Sequence, residues 1–183
     1  MSALASILVL AVAFAAVFGE TVVSGPRHWL GAQIDLLPAL VVYASLSANL
    51  VTLTLLCVLG GLCFDALSAN PLGVSVLPLF VAGMAIYSQR DLILRDQLFA
   101  QVVLGFAASA LVPVMIVLLL LTLGKSPVLG WGSLWQWTVM SVGGAIATPV
   151  LFRMFQLFER TLAYRRASES SFRPDREIRR GRN

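Results

Sequence analysis

The sequence predicts an all-α, polytopic membrane protein built as a bundle of six transmembrane helices. The first observation is composition: 58% of the residues are hydrophobic and only 12% are charged. Soluble domains are about 45–50% apolar and about 25% charged. The second is a mean hydropathy of +0.88, carried by long apolar runs between short polar breaks. A water-soluble fold of this length could not bury so much apolar surface, so the bilayer must be its solvent.

The first two breaks define three helices. Helix one is expected over Ala3–Ser24, before the breaker Gly25-Pro26. Its apolar run is too long for a signal peptide and lacks a basic start, so we expect it to be retained. The apolar stretch from Leu36 to Phe64 is too long for one crossing. The polar residues Ser45, Ser47 and Asn49 divide it into a short second helix, with Pro38 in its first turn, and a third helix at about Leu50–Leu67.

Three further helices follow. The turn Ser68–Pro71 predicts a fourth helix at about Leu72–Gln89, with Asn70 as N-cap and Pro71 at the first helical position. A charged connector leads to a fifth helix at about Gln97–Leu123. The sixth is expected at about Leu134–Phe158. Pro113 and Pro149 are possible kinks in these last two helices.

Charge predicts the orientation. Residues 1–158, the predicted transmembrane domain, have no net charge, whereas the tail, residues 159–183, holds eight arginines against four acidic residues. The positive-inside rule therefore places both termini in the cytoplasm. All four tryptophans, Trp29, Trp131, Trp135 and Trp137, then fall in or beside outer loops. We expect the first turns of the tail to continue helix six along the membrane surface and the remainder to be largely disordered, with contacts to anionic lipid rather than to nucleic acid.

The chain offers no recognisable catalytic, cofactor-binding or metal-binding set. Its single histidine, His28, has no partners for a triad or a metal site. Cys57 and Cys63 lie six residues apart in one apolar segment and are expected to be small core residues. No glycine-rich phosphate loop or nucleophile elbow is present. We therefore predict that the protein is not an enzyme.

Three carboxylates need an explanation. Asp65, near the outer end of helix three, either accepts hydrogen bonds from the N–H groups that open helix four or has a proton- or ligand-linked role. Glu20 is expected to reach the membrane interface from the end of helix one. Asp35 is expected to be solvated there.

Small residues recur at four-residue spacing, which allows helices to approach closely in lipid. They are Ala11, Ala15 and Gly19 in helix one, and Gly143 with Ala147 in helix six. These faces serve either packing inside the bundle or docking of another membrane protein.

The segment Gly60–Leu77 reads GGLCFDALSANPLGVSVL and resembles the signature region of the MreD family of rod-shape-determining proteins. Gly61, Asp65, Leu72 and Gly73 fall on the signature positions. The segment Ile34–Leu46, IDLLPALVVYASL, is similar to the family's proline-containing second helix, here with Pro38. Thr148–Leu162, TPVLFRMFQLFERTL, is similar to its last helix. The arginine-rich tail is longer than is usual in that family.

The resemblance implies a non-enzymatic subunit of the cell-wall elongation complex in the bacterial inner membrane. Such a subunit works with MreC, MreB, RodA and a class B penicillin-binding protein. The MreD fold is also similar to the substrate-binding S components of energy-coupling-factor vitamin transporters, which are the alternative. An S component needs a polar pocket for its vitamin, and the predicted bundle has few polar groups to supply one.

Overall fold

The computed structural model describes residues 3–22, 31–68, 70–93, 97–125 and 130–170. Over these residues the chain is helical and has no strand. It divides into two units, Met1–Phe152 and Arg153–Asn183. The helices are α1 (Ala3–Val22), α2 (Leu37–Ser47), α3 (Leu50–Leu67), α4 (Val76–Ser88), α5 (Leu98–Thr122) and α6 (Trp131–Ser170).

The all-helical class is thus confirmed, whereas the number of membrane crossings is not. Three helical stretches are long and apolar enough to cross a membrane: Leu50–Leu67, Leu98–Thr122 and Trp131–Phe158. The other three apolar stretches are shorter, at Ser6–Glu20, Leu37–Ser47 and Val76–Ser88. Six crossings therefore remain a prediction.

Successive helices of the first unit run in alternating directions. Glu20, near the end of α1, contacts Leu36 at the start of α2, whereas Ser6, near the start of α1, contacts Thr52 at the start of α3. The antiparallel pairing of α3 and α4 follows from the approach of Gly61 to Val76 and of Gly83 to Leu53. Similarly, α5 and α6 are antiparallel, with Gly105 beside Thr148 and Ser109 beside Gly144. We call the two ends of this bundle the Glu20 end and the Ser6 end.

Helix α2 is enclosed by the other helices. Every residue from Leu37 to Leu46 is buried. Gly83 of α4 permits the close packing, because a Cβ there would lie 2.9 Å from Val41 Cγ1. On another side, the ring of Tyr43 packs edge-on against Phe152, with 4.9 Å between the centroids. Helix α2 therefore forms the centre of the first unit.

The boundary between α2 and α3 agrees with the sequence. Pro38 lies in the first turn of α2, which ends at Ser47, and Asn49 occupies the N-cap position of α3. The π-helical segment Leu56–Gly60 within α3 was not predicted. A Cβ on Gly60 would lie 2.8 Å from a methyl carbon of Leu37, so this glycine allows the π segment to pack on the start of α2.

The predicted start of α4 is wrong. The helix begins at Val76 rather than Leu72, so Asn70 and Pro71 are not its N-cap and first residue. Gly73 has a φ of +91°, which is incompatible with a right-handed helix. Residues 72–75 form a turn instead.

The last helix begins earlier than predicted, and it continues into the first turns of the tail, as expected from the sequence. It begins at Trp131 rather than Leu134 and continues to Ser170, so residues 159–170 of the predicted tail are helical. Residues 171–183 and the predicted loop from Gly25 to Trp29 lie outside the described residues. Of the two cysteines, Cys57 is buried and Cys63 is half-buried, and neither forms a disulfide.

Candidate partner-binding face and the Asp65 turn

Helix α1 has two opposite faces of different character. Val9, Ala13 and Val17, which are spaced by four residues, are at most 2% exposed and pack into the bundle. Ala11 and Ala15 lie two residues further on, which is about 200° around the helix, and both are exposed. The small-residue stripe predicted from the sequence therefore points away from the bundle.

Gly19 extends the same stripe. A Cβ built on Gly19 meets no atom within 4 Å among the described residues. We call Ala11, Ala15 and Gly19 the α1 small face. It leaves a shallow strip on which a second helix backbone can approach α1 closely.

The stripe predicted in α6 instead packs inside the protein. A Cβ on Gly143 would lie 2.8 Å from Ile34 Cγ2, so the Ile34 side chain fills the space beside Gly143. Ala147 is half-buried. The tightest contact of α6 lies one position further along, at Gly144 and Thr148, which face Ser109 and Gly105 of α5.

Sequence reasoning missed this crossing, although its spacing was visible. Gly105 and Ser109 are four residues apart, as are Gly144 and Thr148. The carbonyl oxygen of Gly144 would be 2.7 Å from a Cβ on Gly105. Backbones this close permit Cα–H to oxygen contacts, which recur between helices. The α5–α6 crossing is therefore an internal contact and is not available to a partner.

Asp65 lies in the last turn of α3, next to the turn that leads to α4, and is 1% exposed. Its Oδ2 accepts the backbone N–H groups of Gly73 (2.8 Å) and Ser75 (3.1 Å). Its Oδ1 accepts the Ser75 hydroxyl at 2.5 Å. These are the hydrogen bonds expected of the structural role, and they occupy both carboxylate oxygens.

The connection between α3 and α4 requires glycine at two positions, Gly61 and Gly73. Gly61 lies one helical turn before Asp65, and a Cβ there would come within 3.0 Å of the Val76 Cα and 2.9 Å of its Cγ2. Gly73 adopts a φ of +91° that side chains disfavour. The two glycines bring the start of α4 against α3, where Asp65 holds it.

Leu72, the remaining signature residue, projects from this turn and is 71% exposed. The signature positions therefore separate into an anchor, made by Gly61, Asp65 and Gly73, and an exposed apolar side chain that the anchor presents. We call these four residues the Asp65 turn.

The expectation for Asp35 is wrong, since it is 5% exposed rather than solvated. Its Oδ1 accepts the N–H of Leu37 at 2.8 Å, which is an orphan donor at the start of α2. Burial raises the pKa of Asp35 from 3.8 to about 6, and the hydrogen bond from Leu37 partly opposes this shift.

Glu20, near the end of α1, is half-buried. Its Oε1 accepts the N–H of Leu36 at 2.7 Å, the donor next to the one that Asp35 holds. Gln136 of α6 closes the same region by exchanging two hydrogen bonds with the backbone of Gln33, at 3.0 and 2.8 Å. These polar contacts join α1, α2 and α6 at the Glu20 end.

The connector after α4 has the expected exposed charges. Arg90 lies 3.8 Å from Asp91, whose side chain is 94% exposed, and its guanidinium is 4.3 Å from the Tyr87 ring centroid. An exposed pair of this kind contributes little to stability. Arg95 and Asp96 lie outside the described residues.

Across the described residues, no three His, Cys, Asp or Glu side chains are arranged to hold a metal ion. The described surface includes apolar faces: the α1 small face, the exposed Leu72 and the exposed sides of α3 and α5. Comparisons of the chain with protein-family models, with curated proteins and with solved structures each return no match.

Proposed function

We propose that this protein is a non-enzymatic subunit of the bacterial inner membrane that binds other membrane proteins, as MreD does in the cell-wall elongation complex. Its direct partner in this proposal is the membrane helix of MreC, through which it is linked to MreB, RodA and a class B penicillin-binding protein. The observation that carries the proposal is the outward orientation of the α1 small face.

All six helices cross the membrane in this proposal. The short stretches Ser6–Glu20, Leu37–Ser47 and Val76–Ser88 run between the same two ends as their longer neighbours. At about 1.5 Å per residue the eleven residues of α2 span only about 16 Å. Because α2 is covered by protein on all sides, its shortness is not a mismatch with lipid.

The Ser6 end faces the cytoplasm in this arrangement. Arg90 lies there, after the C-terminal end of α4, whereas Lys125 follows the C-terminal end of α5 at the opposite end. An even number of crossings also puts the arginine-rich tail in the cytoplasm, where anionic lipid is available to it.

The α1 small face supports binding of a partner helix. Lipid tails are as apolar as leucine, so helices associate in membranes through close packing rather than through a hydrophobic drive. A strip of Ala11, Ala15 and Gly19 allows such close packing. The bundle leaves this strip unfilled while it fills the small positions of α6 internally.

The Asp65 turn supports a structural rather than a chemical role for the signature residues. A carboxylate with two oxygens engaged by three donors has little capacity left to bind a ligand or relay a proton. The turn is therefore proposed to hold α3 and α4 in register and to present Leu72 at the outer surface.

The test is co-purification of the full chain with the MreC protein of its own organism, solubilised under conditions that preserve membrane complexes. Ala11→Leu and Ala15→Leu should each reduce the recovered MreC at least tenfold, while the protein stays folded, because these positions are exposed. The control is Ala85→Leu, the same change at an exposed position on α4. The proposal would be contradicted if no MreC were recovered with the parent chain, or if the parent chain and all variants recovered equal amounts of MreC.

A vitamin transporter S component would also present a small face on its first helix, so a second measurement must separate the two functions. Thermal unfolding of the purified chain is recorded with a panel of vitamins. The proposal predicts no stabilisation by any of them. Stabilisation by one vitamin, together with recovery of an ATPase pair, would replace it.

A further inference from the structure

A groove of about 970 Å³ lies between the C-terminal half of α5 and the N-terminal half of α6. This volume is typical of ligand sites, which measure about 300–1,000 Å³. Its walls are almost entirely apolar. The α5 wall includes Pro113, Val117 and Leu118, and the α6 wall includes Trp131, Trp137 and Met140.

The groove follows from how α5 and α6 cross. The two helices touch through Gly105 and Gly144, and they separate toward the Glu20 end. Pro113, within α5, lines the groove and has no N–H to donate to the carbonyl of Ser109. At the base of the groove, Trp137 Nε1 donates to the carbonyl of Ala110 at 2.9 Å, which fixes the indole as a wall.

Lys125 lies just after α5, in the connector at the Glu20 end of the groove. Lys125 is the only charged residue in the sequence between positions 97 and 152, which includes both walls. It is exposed, in the connector that joins the two walls, and its backbone N–H donates to the Leu120 carbonyl at 3.0 Å. Trp131, at the same end, is 88% exposed, as is usual for an indole at a membrane interface.

We infer that this groove binds an anionic phospholipid, with one acyl chain between α5 and α6 and the phosphate beside Lys125. The walls match an acyl chain because they hold no charge, and the isolated ammonium group matches an anionic headgroup. The indole of Trp131 lies at the level where headgroup and chain meet, whereas the indole of Trp137 lies deeper, beside the acyl chain. The inference requires the membrane placement proposed above but not the binding of MreC.

The full chain is reconstituted in phosphatidylcholine vesicles with Trp137 as its only tryptophan, after Trp29, Trp131 and Trp135 are changed to Phe. Increasing fractions of phosphatidylglycerol or phosphatidylcholine with brominated acyl chains are added, and quenching of Trp137 fluorescence is measured. One basic side chain near the surface contributes about 1 kcal/mol, so the brominated phosphatidylglycerol should quench at about fivefold lower fraction. Lys125→Gln should abolish that preference.

Gly132→Leu tests the groove itself. Gly132 lines the groove and has open space at its Cβ position, so leucine should fill the site and weaken quenching by both lipids without unfolding the chain. The control is Val142→Leu, at a 47% exposed position of α6 outside the groove, which should leave quenching unchanged.

Three results would overturn the inference. Equal quenching by the two lipids in the parent chain means that only bulk lipid reaches Trp137. If neither brominated lipid quenches Trp137 while the chain stays in the membrane on carbonate extraction, then protein, such as a second copy, fills the groove. Loss of the chain from the membrane on carbonate extraction removes the membrane placement, and with it the proposed function.

Discussion

Thr148 Oγ1 occupies the space that a Cβ on Gly105 would need. The same hydroxyl donates to the carbonyl of Gly144 at 2.8 Å, so it is fixed within its own helix. The α5–α6 crossing therefore depends on glycine at position 105, and any side chain there must push the two helices apart.

Gly105→Ala should lower the free energy of unfolding by about 1–3 kcal/mol, the usual cost of overpacking a filled interior. Unfolding of the purified chain and of the variant in detergent measures this difference in free energy. Gly132→Ala is the control, because a Cβ there meets nothing within 4 Å. Equal stability of the two variants would contradict the tight crossing.

Asp65→Asn should destabilise the chain by about 2–3 kcal/mol, because hydrogen bonds to a charged acceptor are strong and the amide brings N–H groups toward N–H donors. Asp65→Leu should lower the yield of folded protein further. The control is Asp91→Asn, at a side chain that is 94% exposed, which should change neither the stability nor the yield of folded protein. If Asp65→Asn kept its stability and abundance but lost MreC, Asp65 would have a direct role in binding.

Stability should depend on pH through Asp35. Its pKa is raised from 3.8 to about 6 in the folded protein, so the folded chain binds the proton more tightly than the unfolded chain. The contribution of Asp35 to stability should therefore be complete below about pH 4 and be lost as the pH rises through about 6. The free energy of unfolding, measured across this range for the parent chain and for Asp35→Asn, checks the prediction. Asp35→Asn should reduce the loss of stability near pH 6, and an unchanged pH dependence in this variant would contradict the assignment.

Gly73→Ala should cost about 1–2 kcal/mol, since positive φ brings a Cβ too close to the backbone. Gly73→Asn should recover part of the loss because asparagine accepts such conformations more readily. Gly130→Ala is the matched control, at a glycine without positive φ and with open space around it. The unfolding midpoints of the three variants give the comparison.

Helix positions were predictable where local chemistry decides them. The polar residues Ser47 and Asn49 marked the α2–α3 break, and Pro38 marked the first turn of α2. The start of α4 was not predictable, because the N-cap signal of Asn70 and Pro71 was overridden by Asp65, which reaches Gly73 and Ser75 from the preceding helix.

Which faces are buried could not be predicted from hydrophobicity, because lipid accepts apolar side chains as readily as the protein interior does. On α5, Leu118 and Leu121 are exposed, whereas Gly105 and Ser109 are buried. Small and polar residues mark the interior instead. Spacing alone also left open which of the two small-residue stripes, on α1 or α6, faces outward.

The enclosure of α2 has a consequence for biosynthesis. Its side chains pack against α4 and α5, which leave the ribosome after it, so α2 is synthesised before the segments that cover it. An eleven-residue helix is too short to remain in the bilayer alone. In the proposed arrangement of six crossings, the insertion machinery, or a hairpin with α3, must therefore retain α2 until the later helices arrive, and truncation before α5 should leave α2 without a stable position.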